Sequence, residues 1–153
     1  MALKRILIAD NDPTVVQTLV GYLRNKPYEI ETAQDSIPAL GLIFCNSFDL
    51  VVIGLEMPNL NGLEILQKMR SNECEMPVML LCRHGSLMQA LDAMRLGARG
   101  FLHKPVSNGT FLKTVDNILE LSLSQLGGKG EKRGIIRQDR IQHSERLRQS
   151  LRF

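Results

Sequence analysis

The sequence predicts an α/β protein built on a doubly wound, five-stranded parallel sheet. Three observations predict it. Short apolar runs alternate with longer amphipathic segments from residue 5 to about residue 125. The run Leu50, Val51, Val52, Ile53 is apolar at every position, as in a strand covered on both faces. Strands that each lead into a helix must pair in parallel through right-handed crossovers.

The elements follow in order. Arg5–Ala9 reads as a buried strand, ended by Asp10, Asn11, Asp12 and Pro13. Pro13 suits the first position of a helix, with Asp12 as its N-cap. Val15, Val16, Leu19, Val20 and Leu23 then recur at helical spacing. Tyr28–Thr32 is the second strand. Ser36–Phe44 is a helix that tolerates Pro38 in its first turn. Leu50–Ile53 is the third strand, and Leu63–Met69 the next helix, with Leu63, Leu66 and Met69 apolar. Pro77 leads into Val78–Leu81, the fourth strand. Leu87–Leu96 is a helix stopped by Gly97. Gly100–Leu102 is a short fifth strand. The last helix runs from Asn108 to about Leu123 and turns Phe111, Val115, Ile118 and Leu119 inward. This is a flavodoxin-like plan, whose ligand site lies beyond the carboxyl ends of the strands. For the first and third strands those ends are Asp10 and Gly54.

With 153 residues, 44% of them hydrophobic and 23% charged, the chain has room for one core and a tail. No apolar stretch is long enough to span a bilayer, and Asp10 cuts short the apolar run after Lys4 and Arg5, so no signal peptide is expected and cytoplasmic residence follows. Cys45, Cys74 and Cys82 are scattered, which argues against a disulfide framework or a zinc site. Cys45 and Cys82 sit in apolar contexts that suggest packing. The net charge of +3 is uneven: residues 1–126 hold 11 Lys+Arg against 13 Asp+Glu, and residues 127–153 hold 8 against 3. The expected division is a domain over 1–126, a glycine-rich linker over 127–134 and a basic tail over 135–153, either a marginal helix or disordered. No recognisable output domain is expected after residue 126.

Several elements carry a family resemblance in their order and spacing. They are Asp10 with Asp12-Pro13, Met57-Pro58 with Gly62, Gly97-Ala98, and Lys104-Pro105. Over about residues 4–125 the chain resembles the CheY-like receiver domain of two-component response regulators. That resemblance implies a site where first-strand carboxylates hold magnesium and a third-strand aspartate accepts a phosphoryl group. A hydroxyl and a lysine then stabilise the phosphoryl oxygens.

Position by position, the resemblance implies a degenerate phosphorylation site. The paired acids read Asp10 and Asn11, so one charge is lost. The acceptor position is Gly54, which has no side chain. The hydroxyl position is Cys82, a weaker donor. The lysine is kept as Lys104. The switch aromatic falls on Phe101, without a hydroxyl. Asp10 and Lys104 read as a structural ion pair ahead of a remnant ligand site. Asp12 reads as a helix cap, not a metal ligand. Glu56, two residues past Gly54, is imaginable as a substitute acceptor or phosphate mimic, but its side chain need not reach the same point. His84 is expected to be solvated. No metal site is expected, and magnesium binding at Asp10 is weak at most.

The expected function is that of a pseudo-receiver, a signalling module that binds proteins without being phosphorylated and is not an enzyme. In the resembled family the face of the fourth helix, fifth strand and fifth helix docks partners or forms homodimers. The matching positions are Met88, Leu91, Arg95, Phe101, Lys113 and Asn117. The alternative is a nucleic-acid-binding regulator that uses the basic tail. A single tail aromatic, Phe153, supports base stacking poorly.

Overall fold

The computed structural model describes residues 3–127. Its elements alternate strictly: β1 (Lys4–Ala9), α1 (Pro13–Tyr22), β2 (Tyr28–Ala33), α2 (Ser36–Cys45), β3 (Leu50–Gly54), α3 (Gly62–Ser71), β4 (Val78–Cys82), α4 (Leu87–Arg95), β5 (Gly100–His103) and α5 (Asn108–Gly127). The five strands form one parallel sheet in the order β2-β1-β3-β4-β5. The chain winds outward from β1 to β2, then returns to the other side of β1 for β3. That reversal opens a crevice between the carboxyl ends of β1 and β3.

The sheet's two faces hold two cores, because side chains alternate along each strand. Leu7, Ala9, Val51, Ile53, Val78 and Leu80 face α2, α3 and α4, and meet Ile43, Phe44, Ile65, Leu66 and Met69. Ile6, Ile8, Leu50, Val52, Met79 and Leu81 face α1 and α5, and meet Leu19, Leu23, Phe111, Val115 and Ile118. Both β3 and β4 are buried at every residue, as the unbroken apolar runs require.

The helix starts carry their own caps. Asp12 accepts from the Thr14 amide at 2.9 Å, with Pro13 opening α1. Asn61 and Glu64 close a capping box on α3, and Ser86 and Gln89 close one on α4. Gly62 is required where α3 starts, because a Cβ there would lie 2.7 Å from the Gly54 carbonyl oxygen. Gly97 ends the α4 turn at φ +80°, a conformation L side chains rarely adopt.

Three differences from the sequence reading have local causes. Strand β1 starts one residue earlier, opposite Tyr28, and β2, β3, β4 and β5 each run one residue further, because the ladder continues through Asp10 N–H to Ala33 O, Leu55 N–H to Leu81 O and Lys104 N–H to Cys82 O. Helix α5 continues to Gly127, the first residue of the expected linker. Cys45 is exposed rather than packed, since Ile43 and Phe44 take the buried face at the end of α2. The basic tail, 135–153, and nearly all of the expected linker lie outside the described residues.

Candidate functional site

The crevice at the strand ends gathers Asp10, Gly54, Glu56, Cys82 and Lys104. Register places Ala9 beside Ile53, so Asp10 and Gly54 follow side by side. Asp10 is fully buried. Its Oδ1 accepts from the Asp12 amide at 2.9 Å. Its Oδ2 lies 2.6 Å from Lys104 Nζ, and both side chains are shielded from solvent. The contact is a close ion pair. The Lys104–Pro105 peptide is cis.

The bare Gly54 is what lets Asp10 sit this way. A Cβ on Gly54 would overlap Asp10 Oδ2 and lie 2.9 Å from its Cγ. The Asp10 carboxylate therefore leans into the space where a side chain at Gly54 would begin. A buried charge is tolerated only when paired, and here Lys104 supplies the pairing.

Glu56 does not occupy the point above Gly54 but turns to the β4–α4 loop: Oε1 accepts from the Arg83 amide at 2.8 Å and the His84 amide at 2.9 Å. Burial alone would push this carboxyl up. The backbone hydrogen bonds from His84, Arg83 and Glu56 itself, with the Lys104 charge, outweigh burial and hold it below its ordinary value. Arg83 also reaches back to Asp12, with Nη2 3.3 Å from Oδ2. Glu56, Arg83, His84 and Lys104 line a cavity of about 400 Å³ together with Asn11 and the start of α1.

Cys82 is buried at the end of β4. Burial pushes its thiol up, the Gly85 amide bonded to its sulfur opposes this, and the Glu56 charge adds to the rise. The Phe101 ring is tucked against the same loop: a Cβ on Gly85 would lie 2.9 Å from its Cζ and 2.6 Å from Cys82 Sγ. Phe101 is thus only partly exposed, with its ring packed on the core. Asn11 and the His84 side chain are exposed, as are Met88, Leu91, Arg95, Lys113 and Asn117. Leu87 and Met94, 76% and 67% exposed, join Met88 and Leu91 in an apolar surface on α4, whose only buried residue is Ala93. Spacing of three and four residues puts Leu87, Leu91 and Met94 on one side of the helix.

With this geometry in view, comparison with known proteins shows the family. Residues 6–116 match the response regulator receiver domain, and the chain belongs to that family. Response regulator MprA of Mycobacterium sp. (strain KMS) is 37% identical over 101 residues, which is 66% of this chain and 44% of that protein. Transcriptional regulatory protein GlrR of Escherichia coli (strain K12) is 30% identical over 117 residues, 76% of this chain and 26% of that protein. The chain thus spans less than half the length of these curated relatives. Among solved structures, a CheY-like receiver domain from Methanospirillum hungatei JF-1 superposes with a TM-score of 0.77 at 26% identity, covering 81% of this chain and 99% of that one. A receiver domain from Clostridium thermocellum gives 0.72 at 32% identity, covering 78% and 97%. The protein is a receiver domain of two-component signalling with the CheY-like fold. No helix among the described residues is long and apolar enough to cross a membrane.

Proposed function

We propose that this receiver signals without aspartyl phosphorylation and works as a protein-interaction module. The observation that carries the reading is Gly54 at the carboxyl end of β3, with the Asp10 carboxylate leaning over it onto Lys104. A phosphoryl acceptor needs a nucleophilic side chain at the crevice, and glycine has none. The lysine that would steady transferred oxygens is already committed to a buried carboxylate.

A divalent cation has no role in this reading, because the donors do not fit one. Magnesium requires oxygen ligands in near-octahedral geometry. Of the Asp10 oxygens, one is held by an amide and the other by an ammonium. Asn11 brings no charge, and Glu56 is turned to the β4–α4 loop.

What remains for function is surface. Exposed apolar side chains along α4 form a face suited to a protein partner, and Arg95, Lys113 and Asn117 are exposed polar positions. The partner is a signalling protein or a second copy of this chain.

Intact mass after incubation with acetyl phosphate and magnesium tests the reading. No adduct is expected; a stable adduct refutes it. Met94→Ser with Leu91→Ser should then abolish self-association or partner capture while leaving the unfolding midpoint nearly unchanged. Association that is indifferent to both substitutions removes α4 as the docking face.

A further inference from the structure

The first two amides of the loop between β4 and α4 converge on one oxygen atom. Arg83 N–H and His84 N–H both donate to Glu56 Oε1, at 2.8 and 2.9 Å. Successive amides aimed at a single point form an anion-binding nest. The anion arrives from another loop, 27 and 28 residues earlier in the chain. A surface glutamate needs no such engagement, and this one gives up water to make it. Its Oε2 is shielded from solvent and accepts no hydrogen bond among the described residues. Lys104 acts on the same carboxylate through space.

We propose that the start of the β4–α4 loop is an oxyanion site whose ligand is the chain's own Glu56 carboxylate. The loop and the first turn of α4 are thereby held as a bound anion would hold them, with no group added. This deepens the reading above and rests on it: a receiver without an acceptor carries its anion permanently. The ligand class is a small oxyanion, of which a carboxylate is the resident example.

The rest of the loop explains why one carboxylate matters for α4. Arg83 is tied to Asp12, the Gly85 amide to the Cys82 sulfur, and the Phe101 ring lies against Gly85. Ser86 then closes the capping box that starts α4 and its apolar face. Glu56 holds the first link in this series. The hydrogen bonds are charge-assisted, the stronger kind, so their loss is felt at both amides.

The test is amide hydrogen exchange by NMR on the full chain, read at Arg83 and His84 with Leu55 as the internal control. Leu55 N–H is bonded to Leu81 O in the sheet and does not touch Glu56. Glu56→Ala should raise exchange at Arg83 and His84 by about tenfold or more while sparing Leu55. Sodium acetate should restore protection in that variant, and sodium chloride at equal ionic strength should not. Inorganic phosphate in place of acetate asks whether the site takes tetrahedral oxyanions as well; restoration by either one supports the proposal.

Unchanged exchange in Glu56→Ala overturns the proposal. So does faster exchange that neither acetate nor phosphate reverses, which would make Glu56 a strut and the loop no site. If Glu56→Ala does not fold, Glu56→Gln carries the test, since it keeps the shape without the charge. Faster exchange confined to the two amides and reversed by acetate or phosphate then supports the proposal; unchanged exchange, or faster exchange that neither reverses, overturns it. A mass shift with acetyl phosphate would sink the phosphate-independent reading by itself, through a readout separate from this exchange pattern.

Discussion

Gly54→Ala probes the closed ion pair directly. Gly54 is not among the positive-φ glycines, so alanine brings no backbone strain and the cost is steric. The new Cβ would stand 2.9 Å from Asp10 Cγ, where ordinary contact begins at 3.4 Å, so Asp10 must retreat by at least about 0.5 Å. At an effective dielectric of about 20, attraction across the 2.6 Å pair is about 6 kcal/mol, falling to about 5 kcal/mol after a retreat of roughly 0.5–1 Å. The loss of roughly 1–2 kcal/mol is partly offset, because alanine restricts the unfolded chain and returns about 0.4–1 kcal/mol. A net destabilisation on the order of 1 kcal/mol is expected in urea unfolding at neutral pH. The decisive comparison is the same substitution in an Asp10→Ala background, where the obstacle is gone and the penalty should vanish. An equal penalty in both backgrounds, or a gain in stability in the native one, refutes the argument that Asp10 fills the space at Gly54. Gly54→Asp should cost more than alanine, since it sets a second carboxylate beside Asp10. Asn11, Cys82 and the committed Lys104 should leave it a weak phosphoryl acceptor, and brisk labelling by acetyl phosphate would count against their weight.

Lys104→Met should cost about 3–5 kcal/mol by stranding the buried Asp10 charge, and Asp10→Asn added to it should recover part of that loss; additive penalties in urea unfolding would show the two are not coupled. Glu56 titrates below its ordinary value in the folded state. Its contribution to stability is therefore present above the unfolded-state value and lost as pH falls through the depressed one. The pH dependence of unfolding should flatten in that acid window for Glu56→Gln, and an unchanged profile would contradict the amide pairing. Under native conditions a thiol reagent should label exposed Cys45 first and leave buried Cys74 and Cys82 until unfolding, as peptide mass mapping would show; fast labelling of Cys82 would mean its burial and raised thiol are misjudged.

Much of this protein is written in local chemistry. Apolar runs and helical periodicity marked all five strands and five helices to within a few residues at each end. The Asp12 cap, the Pro13 start and the stop at Gly97 are short-range effects that neighbouring residues settle. Gly54 and Cys82 end strands, and Asp10 and Lys104 directly follow one; the convergence of strand ends in a doubly wound fold points to Asp10 and Gly54, and the family resemblance to Cys82 and Lys104. The partners of Glu56 are not legible in the sequence, because its carboxylate is fixed by amides 27 and 28 residues away, and no pattern around residue 56 reports them. Cys45 is exposed where its apolar context suggests packing, because an apolar helix end looks alike on its buried and exposed sides.

The sequence by itself determined the fold class, the strand ends that meet in the crevice, and the missing side chain at residue 54. Those depend on composition and period, which act over a few residues. Only the tertiary structure decided what the remaining groups do with the space. Asp10 leans over Gly54 to Lys104, Glu56 turns to the β4–α4 loop, and Phe101 packs inward against Gly85. Each choice is a side-chain direction, and directions are set by charges, amides and packing partners that the chain brings close only once it has folded.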